Sequence, residues 1–342
     1  MLVLAVPSVN PRMGTARFSL IRILADGQVH SAESIGRALG LSGIEVDELA
    51  TRADALGARV LKAGSGYRLD EPLDLYDAKL LAERVKGECP VLRLEVLDEC
   101  HSTNTVLAER AKAGAAHGTV LVCEYQSAGR GRRGKSWISE IGGSVTLSVL
   151  WRFPHGAAKL AGLSLAVAVG VATALEKLGA RGVAVKWPND LFCGDGKLGG
   201  ILIETTGDTS GPIAGIIGIG INTRLRPAAR ERIGRPAADF SANGPAMPSR
   251  TAVVAGVLSS VVFALELFSR EGFAPFRQAW LDRHAWQGRR VVLSQADHRV
   301  AEGKVVGIAE DGALELASDQ GTRRFHDGEL SLSLESMGIA LG

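Results

Sequence analysis

Short apolar faces separated by turn residues mark the N-terminal segment. Apolar side chains within Phe18–Leu24 form one helical face. A second helix is predicted over Ala32–Leu39, with Ser31 or Ser34 as its N-terminal cap. A third apolar face extends over Ile44–Leu56, so the segment is predicted to contain three successive helices.

Two short strand-like runs follow these helices. Ala58–Leu61 and Tyr67–Leu69 flank Gly64-Ser65-Gly66, a combination that is typical of a β-hairpin. Helices, turn and hairpin in this order predict a winged helix-turn-helix over residues 1–74, a fold that can place a helix in the major groove of DNA.

Residues 75–285 alternate strand-like and helix-like runs, which predicts a sheet with flanking helices. The predicted strands are Val91–Leu97, Thr119–Tyr125, Ser144–Trp151, Val183–Trp187, Gly200–Thr205 and Ile213–Ile221. The predicted helical stretches are Leu75–Val85, Asn104–Ala113, Leu160–Leu178 and Thr251–Trp280. Because several strands follow one another directly, we expect an α/β (α+β) fold whose central mixed sheet contains antiparallel pairs. The Gly- and Pro-rich stretch Arg226–Pro248 is predicted to be a surface loop.

Short strands separated by turns return in residues 286–342. The runs are Arg290–Leu293, Gly303–Ile308, Ala313–Ala317 and Thr322–Phe325. Strands of this length, with turns such as Asp311-Gly312 between them, predict a small terminal β-barrel. The chain is therefore expected to contain three domains, with bounds 1–74, 75–285 and 286–342.

Composition and charge restrict the classes of partner. The chain has 342 residues, of which 46% are hydrophobic, and a formal net charge of +2. So small a net charge produces no overall field that attracts nucleic acid or membrane, and an anion site must be a local cluster of cations. The four cysteines show no close pairing or metal-ligand spacing, which is typical of reduced thiols in a cytoplasmic protein.

Two apolar stretches resemble targeting or membrane segments in composition. The N-terminal run lacks a basic region and contains Pro7, which argues against a signal peptide. The run Leu160–Leu175 carries no charge, but Lys159 and Glu176 bound it at a length shorter than a bilayer requires. We therefore expect a buried core helix here and no membrane association.

The strongest local motif is Gly129–Trp137, hereafter the cationic loop, with the sequence GRGRRGKSW. Its glycines free the backbone to fold around a ligand, and its four cations suit a triphosphate. These cations are Arg130, Arg132, Arg133 and Lys135. The spacing of the glycines also matches a dinucleotide fingerprint, but that fingerprint opens a helix, whereas Ile138–Trp151 has the pattern of loop and strand. A solvated basic loop is the alternative interpretation.

Two further motifs place polar residues beside apolar strands. Lys186-Trp187-Pro188-Asn189-Asp190 ends a strand in a proline turn and presents an amide and a carboxylate together. Asp190 is a candidate Mg²⁺ ligand, since magnesium takes few protein carboxylates, and an Asx turn is the alternative. Lys197, framed by glycines, can reach a phosphate or carboxylate oxygen, or it can be an exposed turn lysine.

Two segments offer space and hydrogen bonds to a ligand. Gly215–Asn222 alternates glycines along an apolar strand, which allows a flat ligand or another backbone to approach, unless the strand is bulged and tightly packed. Ser102-Thr103-Asn104 supplies donors and acceptors for a polar ligand, or only a helix cap.

Together, and in this order, the motifs resemble those of the biotin–protein ligase family. The resemblance extends over nearly the whole sequence and is to the bifunctional type, in which a ligase and a biotin operon repressor share one chain. The matching segments are Ser102–Asn104, Glu124–Trp137, Lys186–Asp190, Lys197–Leu202 and Gly218–Asn222. The resemblance implies a class II synthetase-like catalytic domain and an SH3-like C-terminal barrel.

The resemblance further implies an enzyme that converts biotin and ATP to biotinyl-5'-AMP and transfers biotin to a lysine of a biotin carboxyl carrier protein, part of acetyl-CoA carboxylase. The implied biotin-binding residues are Ser102, Thr103, Asn104, Gln126, Arg130, Gly131, Arg132 and Lys197. The implied ATP-binding residues are Arg130, Arg132, Arg133, Lys135, Trp137, Asn189, Asp190, Lys197 and Asn222, with Mg²⁺ on Asp190. The implied catalytic residues are Lys197, Arg130, Arg132 and Asp190.

The electrostatics of this reaction agree with those roles. The biotin carboxylate must attack the α-phosphorus of ATP although both are anionic, so cations must suppress the repulsion and stabilise the phosphoryl oxygens. Because the mixed anhydride hydrolyses in water, a loop that closes over it has a purpose. In the transfer step, Asp190 is a candidate for accepting the proton of the acceptor lysine.

The N-terminal segment leaves its own role open. The candidate DNA contacts are Ser31, Ser42, Arg52, Lys62 and Arg68. The predicted recognition helix begins Gly43–Glu48 and carries three acids, where Lys, Arg, Asn or Gln usually contact DNA. Binding to the operator of biotin genes and retention for structural reasons are both open. The resemblance also implies a homodimer in the adenylate-bound form.

Two other functions compete with the bifunctional ligase. One is a biotin-responsive DNA-binding regulator with little catalysis, which the presence of the cationic loop, Lys197 and Asn189-Asp190 disfavours. The other is a lipoate–protein ligase, a related enzyme for which the arginine-rich loop is the wrong signature.

Overall fold

The computed structural model describes residues 11–53, 57–207, 211–240, 247–295, 298–326 and 330–334. The chain divides into a smaller unit, Met1–Tyr76 with Glu140–Gly143, and a larger unit, Asp77–Ser139 with Ser144–Gly342. Each unit has its own set of buried apolar side chains.

Helices and a three-stranded antiparallel sheet form the smaller unit. Its elements are α1 (Pro11–Leu24), β1 (His30–Ser31), α2 (Ala32–Leu39), α3 (Gly43–Ala53), β2 (Val60–Ala63) and β3 (Gly66–Leu69). The strand order is β1-β3-β2. Leu20, Leu24, Ile35 and Leu49 are fully buried, so the apolar faces predicted for the helices form a common core. α2 and the strand pair lie close to their predicted positions, α1 begins earlier than the predicted Phe18, and β1 is an addition. α3 corresponds to the helix predicted over Ile44–Leu56, of which residues 54–56 lie outside the described residues.

A seven-stranded mixed sheet forms the centre of the larger unit. Its strands are β4 (Arg93–Cys100), β5 (Thr119–Gln126), β6 (Ser144–Phe153), β7 (Val183–Lys186), β8 (Asp190–Cys193), β9 (Gly196–Gly207) and β10 (Ile213–Asn222). They lie in the order β4-β5-β6-β10-β9-β8-β7. The pair β4 and β5 is parallel, and the other neighbouring pairs are antiparallel. The predicted central mixed sheet is confirmed.

Helices pack around this sheet. They are α4 (Ala78–Glu88), α5 (Thr103–Lys112), α6 (Leu163–Lys177), α7 (Pro227–Ile233), α8 (Arg250–Glu271) and α9 (Arg277–Leu281). By length and composition, Ala157–Lys177 and Arg250–Glu271 are apolar enough to cross a membrane, but 61% of each apolar window is buried inside the protein. α6 and α8 pack against each other, as core helices do.

Several boundaries differ from the sequence-based expectation. α7 lies inside Arg226–Pro248, which was predicted to be a loop throughout, because Pro227 begins a helix at its first turn. The helical stretch predicted over Thr251–Trp280 is broken at Gly272, whose φ of +68° ends α8. A 3-10 turn over Ala157–Leu160 precedes α6, so the helix begins later than predicted.

A five-stranded antiparallel sheet follows at the C-terminal end of the larger unit. Its strands are β11 (Arg290–Gln295), β12 (His298–Ile308), β13 (Leu314–Ser318), β14 (Gly321–Phe325) and β15 (Leu330–Leu334). They lie in the order β14-β13-β12-β11-β15, and the sequence pattern did not predict β15. Among the hydrogen bonds between this C-terminal segment and the preceding elements, Arg277 Nε donates to the Ile308 carbonyl at 2.7 Å, and Trp187 Nε1 donates to the Gly312 carbonyl at 3.2 Å.

Candidate active site

One cleft in the larger unit contains residues from the sequence motifs. Its walls include Ser102–Asn104, most of the cationic loop, the turn Trp187–Asp190, Lys197 and the strand segment Gly218–Gly220. Gln126 and residues Leu330, Ser331 and Leu332 of β15 also line it. Asn222 lines a smaller cavity that shares Trp137 and Lys197 with the cleft. All residues predicted to bind biotin or ATP therefore lie on these two adjoining cavities.

A polar pocket at one end of the cleft is lined by Ser102, Thr103, Asn104 and Gln126, with Ser148 beneath them. The backbone N–H of Thr103 donates to Gln126 Oε1 at 2.7 Å. The Ser148 hydroxyl lies 2.7 Å from Thr103 Oγ1 and 2.6 Å from Asn104 Oδ1, within hydrogen-bonding distance of both. All five side chains are buried. Ser102 is the residue before α5, and its side chain makes no capping hydrogen bond, so a helix cap does not account for it.

Two glycines of β10 make room for side chains of the site. A Cβ on Gly218 would lie 2.2 Å from Asn104 Oδ1, and one on Gly220 would lie 2.6 Å from Trp137 Cε2. Side chains of this chain thus occupy the space that the alternating glycines leave. β10 pairs with both neighbours without a register shift, so the alternative of a bulged strand is wrong.

The cationic loop is a backbone hairpin. Trp137 N donates to the Gly129 carbonyl at 2.8 Å, and Gly131 N donates to the Lys135 carbonyl at 2.7 Å. At the tip, Arg133 has a φ of +58°, a left-handed conformation that strains a residue with a Cβ. The chain then continues towards strand β6, as predicted, in contrast to a dinucleotide fingerprint.

The cations of this loop differ in their partners. Arg130 forms a bidentate ion pair with Glu204, with Nη2–Oε1 at 2.9 Å and Nη1–Oε2 at 3.3 Å. Arg132 Nη1 donates to Asn189 Oδ1 at 3.4 Å. Arg133 and Lys135 are exposed and form no ion pair with any residue of the described ranges.

Lys197 and Asp190 form an ion pair in the cleft. Lys197 Nζ lies 2.5 Å from Asp190 Oδ1, and both side chains are less than one fifth exposed. Gly200 leaves the space for this pair, since a Cβ there would lie 3.1 Å from Lys197 Nζ. Burial lowers the pKa of Lys197, and the neighbouring Asp190 opposes that shift. The alternative of an exposed turn lysine is therefore wrong.

Backbone hydrogen bonds hold Lys197 in place on both sides. Lys197 N donates to the Pro236 carbonyl at 3.1 Å, and Ala238 N donates to the Lys197 carbonyl at 3.0 Å. Asn222 Nδ2 donates to the carbonyls of Lys197 and Ala238 at 3.2 and 3.1 Å. The segment after α7 is thereby fixed against β9, and its Arg235 lines both cavities.

Lys186 adds another cation to the cleft. Its ammonium lies 4.1 Å from the ring centroid of Trp286 and 5.3 Å from that of Phe192. Burial lowers its pKa to about 8, while Asp190 opposes the shift. The positive charge of Lys197 adds to the lowering. The rings favour the charged form and partly offset these effects.

Family models match both parts of the larger unit. Residues 96–222 match the Biotin/lipoate A/B protein ligase family, and residues 288–333 match the Biotin protein ligase C terminal domain. The bifunctional ligase/repressor BirA of Salmonella typhimurium is 37% identical over 319 residues, 93% of this chain and 98% of that protein. The chain belongs to the biotin protein ligase family.

Two further relatives agree with this membership. BirA of Escherichia coli, also a bifunctional ligase/repressor, is 37% identical over 93% of this chain and 97% of that protein. The biotin protein ligase of Aquifex aeolicus, solved with biotin and ATP, has a TM-score of 0.61 and 30% identity, and covers 71% of this chain and 99% of its own. As a member of the biotin protein ligase family, the chain is an enzyme with a mixed α/β fold.

Two residues predicted to contact DNA cap helices in the smaller unit of this biotin protein ligase. The Ser31 hydroxyl accepts a hydrogen bond from Ser34 N at 3.1 Å. The Ser42 backbone and hydroxyl donate to the Glu45 carboxylate at 2.8 and 2.7 Å. The bond from the Ser42 backbone lowers the pKa of Glu45, so this acid stays ionised at the start of α3.

The three predicted basic DNA contacts differ in their surroundings. Lys62 Nζ lies 3.3 Å from Asp47 Oδ1, and this ion pair neutralises one of the acids of α3. Arg68 Nη1 donates to the carbonyl of the adjacent Leu69 at 3.0 Å. Arg52 is exposed on α3.

Three residues of the site were not predicted from the sequence motifs. Ser148 lies beneath the polar pocket, Glu204 pairs with Arg130, and Arg235 enters the cleft after α7. A serine inside the apolar run Ser144–Trp151 and a glutamate in an apolar strand were available signals, because polar residues in such runs need partners. Arg235 gave no local signal, since only tertiary packing brings it to Lys197.

Proposed function

We propose that the protein activates biotin with ATP to biotinyl-5'-AMP and transfers the biotin to a lysine of a biotin carboxyl carrier protein. The observation that carries this proposal is the union, in one cleft, of a buried neutral pocket with a group of cations around Lys197. The pocket suits the ureido ring of biotin, which needs several fixed donors and acceptors. The cations suit the phosphates of ATP.

In the first step, the biotin carboxylate attacks the α-phosphorus and pyrophosphate leaves. Lys197, with Arg132 from the loop, would stabilise the negative charge that develops on the phosphoryl oxygens. Arg133 and Lys135, exposed and without an ion pair in the described ranges, would contact the leaving phosphates. Burial lowers the pKa of Lys197, and the anionic groups of the bound ligands would raise it again and so favour the charged ammonium.

The adenine is assigned to the smaller cavity beside Trp137 and Asn222. Trp137 Nε1 is buried and has no hydrogen-bond acceptor among the residues that the structure describes. A ring nitrogen or a ribose oxygen of the nucleotide would supply that acceptor. The side-chain nitrogen of Asn222 already donates to the carbonyls of Lys197 and Ala238. We therefore assign Asn222 two roles: it shapes the smaller cavity, and it contacts the nucleotide where it lines that cavity.

In the second step, the amine of the acceptor lysine attacks the carbonyl carbon of biotinyl-5'-AMP, the bond to the phosphate oxygen breaks, and AMP leaves. Asp190 would accept the proton that the amine loses. Its carboxylate lies next to the phosphate-binding Lys197. Single-turnover transfer from preformed adenylate tests this role, and an unchanged rate in Asp190→Asn would exclude it.

A magnesium ion would enter with the nucleotide. The described residues contain no group of three His, Cys, Asp or Glu side chains that could hold a metal alone. Asp190, whose Oδ1 pairs with Lys197, and the nearby Asn189 fit an ion that takes one carboxylate and keeps waters and phosphate oxygens as its other ligands. The ion supplies further neutralisation of the phosphates.

The decisive experiment combines the purified chain with biotin, Mg·ATP and a biotin carboxyl carrier domain. The expected product is the carrier with the added mass of one biotin. A reaction that proceeds with lipoate and not with biotin would instead establish the lipoate–protein ligase. Formation of no adenylate from ATP and biotin would favour a regulator with little catalysis.

A second function, repression of biotin genes, is favoured because the bifunctional ligase/repressors align over 93% of this chain. We propose that the smaller unit is a winged helix-turn-helix and that Arg52, with Lys62 and Arg68, contacts operator DNA. Ser31 and Ser42 would contribute by fixing the helix starts. Absence of a specific gel shift near 0.1 M salt, with biotin and ATP present, would exclude repression.

Several finer features belong to the same proposal. The larger unit is class II synthetase-like with an SH3-like C-terminal barrel, and the protein works in the cytoplasm without a membrane. β4 lies at an edge of the central sheet, and an edge strand permits pairing with a second copy in the adenylate-bound form. Sedimentation of the protein with and without adenylate tests this dimer.

A further inference from the structure

Glu204 lies on β9 and connects the cationic loop to the polar pocket. Its carboxylate accepts two hydrogen bonds from Arg130. The same carboxylate accepts a hydrogen bond from Asn104 Nδ2 at 2.9 Å. Arg130 Nη1 also lies 3.4 Å from the hydroxyl of Thr105, at the start of α5. The first arginine of the loop is thus held at the rim of the pocket.

These contacts complete a continuous series of hydrogen-bonded groups. The series runs from Gln126 to Thr103 through the Thr103 backbone N–H, and then through Ser148, Asn104 and Glu204 to Arg130. Its inner members are buried, and its last two are partly exposed, with side-chain exposures of 30% for Glu204 and 49% for Arg130. A displacement of Asn104 therefore changes a hydrogen bond of the group that holds the loop.

We infer that Glu204 is a positioning residue that attaches the cationic loop to the polar pocket through Arg130. Arg130 serves as the point of attachment, and the phosphates are left to the other cations of the loop. Under this inference Arg130 has neither the ATP-binding nor the catalytic role that the resemblance to the family implies for it. It rests on the proposed function only where biotin and ATP are used as readouts.

The charges support this division of labour. The bidentate pairing with Glu204 neutralises Arg130, whereas Arg133 and Lys135 form no ion pair within the described ranges. A single half-exposed ion pair contributes little to stability. Here two parallel hydrogen bonds and the contact with Asn104 fix the geometry of the carboxylate, so the pair can determine where the loop lies even though it adds little to global stability.

Limited trypsin digestion of the protein without ligands tests the attachment directly. Trypsin cleaves after Arg132, Arg133 and Lys135 when the loop opens. Glu204→Gln is expected to accelerate cleavage at these sites by about fivefold, because local opening sets the rate. Glu95→Gln, which removes the ion pair with Arg110, is the matched control and should leave loop cleavage unchanged. Equal cleavage in Glu204→Gln and wild type would overturn the inference.

Kinetics of adenylate formation separate attachment from phosphate binding. Glu204→Gln, Arg130→Gln and the double variant should each raise the KM for biotin and the release rate of the adenylate by about tenfold, without adding up, because they remove one interaction. The kcat of adenylation should change by less than about threefold. A loss of about a hundredfold or more in kcat in Arg130→Gln alone would make Arg130 a phosphate ligand and overturn the inference.

The two experiments also distinguish the inference from the proposed function. If the wild-type protein forms no biotinyl-5'-AMP, the proposed function fails while the digestion result still decides the attachment. If the wild type forms the adenylate and the two variants behave independently, the attachment fails while the proposed function stands.

Discussion

The two ends of the cleft satisfy their polar groups in opposite ways. In the polar pocket, Thr103 hydrogen-bonds to Gln126, and the Ser148 hydroxyl lies within hydrogen-bonding distance of both Thr103 and Asn104; all four side chains are buried. At the other end, hereafter the cationic end, several cations line the cleft with a single carboxylate among the described residues, that of Asp190. They include Lys135, Lys186, Lys197 and Arg235, together with Arg132 and Arg133 of the cationic loop.

The difference follows from the chemistry of the groups. Neutral donors and acceptors satisfy each other before a ligand arrives, so the pocket can be rigid and selective at little cost. Like charges cannot satisfy each other, and their repulsion adds to the lowering of the pKa values of Lys186 and Lys197. An incoming polyanion relieves that repulsion, so the cationic end gains most from its ligand and the polar pocket changes least.

The largest expected effect is on the cationic end alone. Lys197→Ala should reduce the rate of adenylate formation by about 10²–10³-fold, because it removes a cation from the developing phosphoryl charge. The KM for biotin should change far less. Pyrophosphate exchange measures the rate, and Lys177→Ala, an exposed lysine at the end of α6, is the control. If Lys177→Ala reduced the rate of adenylate formation as much as Lys197→Ala does, the effect would not be specific to the cationic end.

Two glycines on one strand allow the ends to be disturbed separately. Gly218→Ala brings a methyl group against Asn104 and should raise the KM for biotin by roughly 5- to 150-fold, the factor that corresponds to about 1–3 kcal/mol of overpacking. Gly220→Ala pushes against Trp137 and should raise the KM for ATP by a similar factor. Each variant is the control for the other. Parallel increases in both KM values would mean that the ends are not separable.

Ser148 tests whether the neutral network matters for binding. Ser148→Ala removes the hydroxyl between Thr103 and Asn104 and should raise the KM for biotin by about tenfold, a typical cost of an unpaired buried group. Thr146→Val on the same strand removes a buried hydroxyl that bonds the Cys123 carbonyl and serves as the control. If both variants bind biotin equally well, the network is only structural.

The smallest effect is a pH dependence confined to the cationic end. Lys186 has a pKa of about 8, below its ordinary value of 10.5, so its charge is lost as the pH rises through about 8. The dissociation constant of ATP should rise by about three- to eightfold between roughly pH 7.5 and 9, while biotin binding stays constant. Lys186→Arg should shift this onset to higher pH. A profile unaffected by this substitution would assign the titration elsewhere.

Lys186 also affects the free energy of unfolding, which should increase with pH over a range in which ATP binding weakens. Between about pH 8 and 10.5 the unfolded chain keeps a proton on Lys186 that the folded chain has lost. Stability in the absence of ligand therefore rises with pH across this window, and it falls again as the pH decreases towards 8. Denaturant titrations across the window, compared with Lys186→Arg, measure the contribution.

Local patterns predicted most of the large elements. Long apolar runs gave α6 and most of the central strands because burial imposes a clear period on the sequence. β8 was missed because Asp190–Cys193 is only four residues long and begins inside a proline turn. β9 begins at Gly196 rather than at the predicted Gly200, because Gly196 and Lys197 pair with Cys193 and Phe192 of β8. Gly196 also leaves room for the segment after α7, since a Cβ there would lie 2.6 Å from Ala238 N, and a turn-like pattern cannot reveal such packing.

The predicted site residues come together, but their partners could not be inferred. Motif order indicated that Asn104, Arg130 and Lys197 belong to one site, and all three line the cleft. The choice of Glu204 as the partner of Arg130 depends on β9 and the loop meeting in space, across 74 positions of sequence. No local pattern contains that distance.

The hydrogen bond from the Trp187 indole to the Gly312 carbonyl limits how modular this enzyme can be. The turn that carries Asn189 and Asp190 relies on a carbonyl 125 positions further along the chain. A catalytic fragment that ends before β11 would leave a buried donor without its acceptor, at a cost of about 1–3 kcal/mol. Exchange of C-terminal segments between relatives should therefore succeed only where the incoming segment offers a carbonyl at the same point.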